Sequence, residues 1–218
     1  MNTESSKDQA LQLVRRIDWR YLLPDSRLRN VAYFGLRDEP LMHALEQYCD
    51  SFSVHVHEGQ HLHSDKHKTY DLVVVNSPQL IEVRKAVSTM KPGASLYWEV
   101  NRLSTLKYMR DEILGSNIST RAKLESVGII LARLVRPNSY VAFAKTLGLK
   151  EVSIFWHRPD FNRCLEIVPL DNRRVLDYCF SRSQGAGLKN IKYRAGKLLL
   201  ESGILKSVVP CFSLVAMR

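Results

Sequence analysis

Tyr70-Asp-Leu-Val-Val-Val-Asn-Ser-Pro-Gln79, continuing through Leu80 to Met90 and closing with Lys91-Pro-Gly-Ala-Ser-Leu-Tyr-Trp-Glu-Val100, carries the pattern of a strand, a helix and a second strand. The unbroken apolar run from Leu72 to Val75, stopped by Asn76-Ser77-Pro78, predicts a strand buried on both faces, as a parallel sheet covered by helices requires. Leu80, Val83, Val87 and Met90 recur at helical spacing, and Pro92-Gly93 predicts the end of that helix before a second strand, Ala94 to Val100. Strand, helix, strand makes a right-handed parallel crossover, and ligands in such sheets lie beyond the carboxyl ends of the strands. Asn76, Ser77, Glu99, Asn101 and Arg102 are therefore candidate site residues.

The chain of 218 residues, 45% of them hydrophobic, is long enough for one well-buried α/β domain. No apolar run approaches the roughly 20 residues needed to span a bilayer. The polar start Met1-Asn-Thr-Glu-Ser-Ser-Lys-Asp differs from a signal peptide, so a cytoplasmic protein without a membrane segment is expected. Cys49, Cys164, Cys179 and Cys211 are scattered, a spacing that suggests neither a zinc knuckle nor a disulfide framework. The formal net charge of +10 favours an anionic partner: nucleic acid, a phosphorylated small molecule or an acidic surface.

Outward from the central stretch, residues 9 to 22 carry an amphipathic pattern that Leu23-Pro24-Asp25 stops, so residues 1 to 27 are expected to be a helix and linker ahead of a domain over 28 to 218. Asn30 to Gly35 predicts the first strand, and Asp38-Glu39-Pro40 opens a helix to about Tyr48. Ser51 to Glu58 predicts a second strand, and Leu103 to Leu114, Ile118 to Val135 and Tyr140 to Leu147 form a helical addition over about 103 to 147. That addition presents one apolar stripe, suited to a substrate lid or to a dimer surface. Val152 to Pro159 predicts another strand, helices follow over Pro169 to Ser181 and Lys189 to Ser202, and Pro210 to Arg218 predicts the last strand.

Asp71 to Asn76, followed by Met90-Lys91-Pro92-Gly93 and a strand, resembles the central half of the class I S-adenosylmethionine-dependent methyltransferases, which carry an acidic "FDLVV" strand and an "LKPGG" turn at these places. Leu147-Gly-Leu-Lys-Glu-Val152 resembles the entry to their sixth strand. The resemblance implies a Rossmann-like, doubly wound α/β sheet, mostly parallel with an antiparallel last strand. Only about a dozen residues separate Glu58 from Asp71, so the sheet is expected to be shortened around the usual third strand. The resemblance also implies S-adenosylmethionine as cofactor, lined by Gly35, Glu58, Asn76 and Ser77. Tyr33 stands where the family has an acid, and Arg37 and Glu39 stand where it has the second and third glycines of its cofactor loop. Those side chains would crowd the approach of the backbone to the cofactor. Arg37 is suited to meet a carboxylate or phosphate.

Trp156-His157-Arg158-Pro159 ends the sixth strand with groups able to stack, move a proton and hold an anion. His157 is the candidate general base for a substrate hydroxyl and Glu99 its partner, with Trp156, Arg158, Asn101 and Arg102 as substrate-binding residues. Asn76-Ser77-Pro78-Gln79 is faintly similar to the N-P-P-Y signature of amino-methylating enzymes, without its stacking aromatic. His55, His57, His61, His63 and His67 are dense enough to raise a metal site, but Asp65, Lys66 and Lys68 interleave as in a solvated loop and no metal is expected. Arg173, Arg174, Arg182, Lys189, Lys192, Arg194, Lys197 and Lys206 form a late basic cluster, which usually marks a solvated face. The sequence thus predicts a divergent methyltransferase for a small hydroxylated or anionic acceptor. Its alternatives are a non-catalytic methyltransferase-like binding module and an RNA-modifying enzyme, and an oligomer is compatible with each.

Overall fold

The computed structural model describes residues 11–37, 39–56, 69–77, 79–102, 104–107, 136–182 and 188–218. Seven strands form one sheet: β1 (Asn30–Gly35), β2 (Ser51–Val56), β3 (Tyr70–Asn76), β4 (Met90–Asn101), β5 (Lys150–Arg158), β6 (Glu166–Pro169) and β7 (Cys211–Met217). Their order is β2-β1-β3-β4-β7-β5-β6. The pairs β1–β2, β1–β3 and β3–β4 are parallel, and β7 enters antiparallel between β4 and β5. This is the class I methyltransferase-like arrangement, with β6 as a second antiparallel strand on the outer edge of β5.

The helices are α1 (residues 11–16), α2 (Pro40–Tyr48), α3 (Leu80–Ser88), α4 (Pro137–Thr146), α5 (Arg173–Ser181), α6 (Leu188–Glu201) and α7 (Leu205–Val208), with a 3-10 turn over Asp18–Leu22 after α1. Alternation along each strand sends side chains to two cores. Val73, Val75, Leu96, Trp98, Phe212 and Leu214 pack against α3, α4 and α5. Val31, Tyr33, Leu72, Val74, Tyr97 and Val215 pack on the other face against α2 and the amino-terminal segment. Ile17, Trp19, Leu23 and Leu28 are fully or almost fully buried there, so the segment expected to be a helix and linker is a structural layer of the domain.

The sequence expectations for β1, α2, β3 and β7 match the structure within a residue or two. Two local readings are corrected. Pro92-Gly93 does not separate α3 from a strand starting at Ala94, because β4 already begins at Met90. Tyr70 pairs with Met90 and Leu72 with Ser95, so the extra residues form a bulge. Gly93 sits in it at φ 76, a conformation glycine adopts without a Cβ penalty. β6 was also not anticipated. It has four residues and carries Glu166 and Pro169, a short and guarded edge strand with little periodicity to read. Most of the helical addition, together with Glu58, His57, His61, His63 and His67, lies outside the described residues.

Gly196 on α6 shows how closely this face is packed: a Cβ there would lie 2.3 Å from a ring carbon of Phe180. Gly196→Ala is expected to lower stability by about 1–3 kcal/mol through overpacking, outweighing a helix-propensity gain of about 1 kcal/mol. Urea denaturation checks the sign, since an unstrained site would be stabilised.

Candidate functional site

The parallel register aligns the strand ends on one edge. Gly35 pairs with Asn76 on one side and with Val56 on the other, and Val75 pairs with Trp98. Gly35 and Asn76, proposed from sequence for the cofactor, are thereby brought together, and Ser77 follows directly, its hydroxyl accepting from the backbone N–H of Gln79 at 3.2 Å. Arg37 is exposed just past β1, and Glu58 lies outside the described residues.

The reason glycine stands at position 35 is local. A Cβ would lie 2.5 Å from the Tyr33 hydroxyl and 2.8 Å from the Asn76 carbonyl oxygen. The Tyr33 ring is fully buried beside Gly35, and its hydroxyl donates to the Leu36 carbonyl at 3.1 Å. Burial, reinforced by Glu39 and Glu99, pushes this phenol well above its ordinary range, so it remains a neutral donor. Where an acid would offer a carboxylate, the edge therefore has a phenol turned back onto its own backbone.

His157 and Glu99, expected as base and partner, are tied into a buried network on the face covered by the amino-terminal segment. Both Glu99 carboxylate oxygens accept from Arg16, at 2.5 and 2.6 Å, and Tyr97 donates to one of them at 2.9 Å. Burial opposes the charge on Arg16, but the Glu99 carboxylate outweighs it and holds the guanidinium above its ordinary value. Trp19 stacks on Tyr97 at 3.7 Å with the rings 7° apart, closing the network from above. His157 is 1% exposed, with Nε2 2.8 Å from Ser213 Oγ and Nδ1 3.5 Å from Cys164 Sγ. Burial, with Arg16 as the second cause, pushes the His157 imidazole down to about 3, so it is neutral at physiological pH. A cavity of about 50 Å³ beside His157, Phe161 and Cys164 has room for water and not for an acceptor molecule. Both side chains are buried, His157 at 1% and Glu99 at 3% exposure.

The substrate set divides along β5 by the two-residue period of a strand. Trp156 faces away from His157, 6.3 Å from the Phe180 ring. Arg158 lies over Trp156 at 4.9 Å and pairs with Glu166 at 3.0 Å. Asn101 caps the short helical stretch after β4, accepting from the Ser104 N–H at 3.3 Å. Arg102 donates to the Ser207 carbonyl of α7. Among the described residues, then, the edge of β1, β3 and β4 gathers Gly35, Asn76, Ser77, Asn101 and Arg102, while His157 and Glu99 belong to the core. Arg16, Tyr97 and Ser213 are the network members the sequence reading did not single out. The one available signal was Arg16 itself, three residues from Leu13 and so on the apolar side of its helix.

No family model matches the sequence, and no curated protein matches it. Among solved structures, the chain is similar to an S-adenosylmethionine-dependent methyltransferase from Archaeoglobus fulgidus, with 12% identity and a TM-score of 0.47 over 96% of this chain and 94% of that one. It is also similar to one from Thermotoga maritima, with 8% identity and a TM-score of 0.40 over 96% and 90% of the two chains. A third is phosphoethanolamine N-methyltransferase 2 of Haemonchus contortus, solved with phosphomonomethylethanolamine and S-adenosylhomocysteine, with 12% identity and a TM-score of 0.39 over 96% and 53%. The fold class itself follows from the strand order and the antiparallel β7.

Proposed function

We propose that the protein is a divergent S-adenosylmethionine-dependent methyltransferase acting on a small hydroxylated or anionic acceptor. The observation that carries this reading is the Gly35–Asn76 register, which closes the carboxyl ends of β1 and β3 into one polar edge beside Ser77 and Arg37. The half-buried Asn76 side chain and the exposed Arg37 fit the amino-acid end of the cofactor, Arg37 through its carboxylate. Bound there, S-adenosylmethionine supplies a sulfonium-activated methyl group. With His157 and Glu99 held in the core, the chain's own contribution is to position the acceptor and exclude water rather than to remove a proton through that pair.

A second reading, a non-catalytic methyltransferase-like binding module, is favoured by one specific observation: the Tyr33 hydroxyl occupies the space next to Gly35 and bonds to Leu36. Calorimetric titration with S-adenosylmethionine and S-adenosylhomocysteine separates the two. Micromolar binding is the expected result. A folded protein that gives no heat with either ligand overturns the enzyme reading and leaves the module.

A further inference from the structure

A cavity of about 270 Å³ lies at the opposite end of β3 from the Gly35–Asn76 edge. Asp71 and Leu72 line it, whereas Asn76 ends the strand, so the rise of an extended chain sets it roughly 15 Å from that edge. Two segments make its walls. One is the β4 bulge, where Lys91 to Ala94 stand opposite Asp71 alone. The Gly93 N–H donates to the Arg218 main-chain oxygen and the Arg218 N–H to the Ala94 carbonyl, each at 2.9 Å, which pins the bulge to the end of β7. The other is the turn from Leu23 to Arg29 that follows the 3-10 turn. There Asp25 Oδ1 accepts from the Arg27 N–H at 2.9 Å, and the Arg29 carbonyl accepts from the Ser51 N–H at 2.7 Å. With both walls tied down, the concavity is part of the fold.

The lining combines an apolar base with charge. Leu23, Leu72 and Ala94 are buried against it. Of its charged residues, Asp25 pairs with Arg29 at 3.3 Å and Asp71 with Lys91 at 2.8 Å. Arg27 is the odd one: it meets Asp25 through its backbone, and its guanidinium has no ion pair or hydrogen bond among the described residues. Each acid of the lining is thus matched to a cation, and one positive charge remains. A single unmatched guanidinium beside apolar surface suits a ligand with an apolar body and one negative charge. A carboxylate meets this best, because it accepts two parallel N–H bonds from an arginine. A phosphate dianion would leave a charge unmet, and a neutral ligand would leave Arg27 unused.

We propose that this cavity binds a small monocarboxylate with an apolar or aromatic body, its carboxylate held by Arg27. The site is separate from the proposed cofactor cleft and does not depend on the methyltransferase reading.

The test is calorimetric titration of the full chain with sodium naphthoate, with its neutral amide, naphthamide, and with sodium acetate, at constant ionic strength. Naphthoate is expected to bind at one site, and naphthamide about tenfold more weakly for want of the charge-assisted bonds. Acetate, which lacks the apolar body, is expected to bind more weakly than naphthoate. Arg27→Gln, a change at an exposed side chain, is expected to weaken naphthoate about tenfold and to leave naphthamide unchanged. Arg173→Gln, also exposed and outside the lining, reads out general attraction to a basic surface and is expected to change nothing. No heat with naphthoate, equal affinities for acid and amide, acetate as tight as naphthoate, or equal losses in the two variants overturns the site. Displacement of naphthoate by S-adenosylhomocysteine also overturns it, since the ligand would then lie in the cleft. Failure of S-adenosylhomocysteine to bind removes only the methyltransferase reading and leaves the naphthoate result standing.

Discussion

Arg16→Met will destabilise the protein by about 3–5 kcal/mol, as expected when one partner of a buried ion pair is removed and the other is left uncompensated. Glu99 is 3% exposed and takes both of its main donors from Arg16, so the carboxylate would remain in the core with only the Tyr97 hydroxyl. The pair spans 83 positions in sequence and fastens α1 across the end of β4. Arg16→Met combined with Glu99→Leu is expected to recover much of the loss, because the double change removes the charge as well as its partner. Urea denaturation of the two singles and the double completes the cycle. A cost below about 1 kcal/mol for Arg16→Met would mean that the pair behaves as a solvated one, and the amino-terminal layer would need another account.

The second large effect is on acid stability. His157 titrates near 3 in the folded protein because it is buried beside Arg16, against an ordinary value of about 6.5 in the unfolded chain. The unfolded chain therefore binds more protons between these values. The neutral imidazole costs nothing above about pH 6.5, and stability falls as pH drops toward 3, by about 1.4 kcal/mol per pH unit. From pH 7 to pH 5 this residue should remove about 2 kcal/mol. His157→Gln, which keeps a polar group near Ser213, is expected to be less stable at pH 7 and to lose less between pH 7 and pH 5. Equal losses in wild type and variant would show that His157 is accessible enough to protonate in place, which would restore it as a candidate base.

The fold was legible where strands are buried on both faces. Leu72 to Val75 and the apolar run ending the chain each report burial residue by residue, and β3 and β7 lie at the centre of the sheet. The outer edge was harder, because β6 has only four residues, whereas the alternation that starts at Ser51 already announced β2. The strand ends were legible as far as the edge rule reaches: Gly35, Asn76 and Asn101 end β1, β3 and β4, and Arg102 follows directly. The burial of His157 was hidden by alternation. Phe155 and His157 share one face of β5, and that face is closed by the segment carrying Arg16 and Trp19. Such a closure depends on contacts far apart in the chain, and an arginine on a short amphipathic helix reads as solvated until its partner is seen.

The proposed cofactor cleft along the β1–β3 edge is tested by the affinity of S-adenosylhomocysteine for wild type and for Asn76→Ala. Loss of the Asn76 amide is expected to weaken binding about tenfold, with the fold intact, since Asn76 ends β3 and is not in either core. Equal affinities in the two proteins would contradict the account and place the ligand elsewhere.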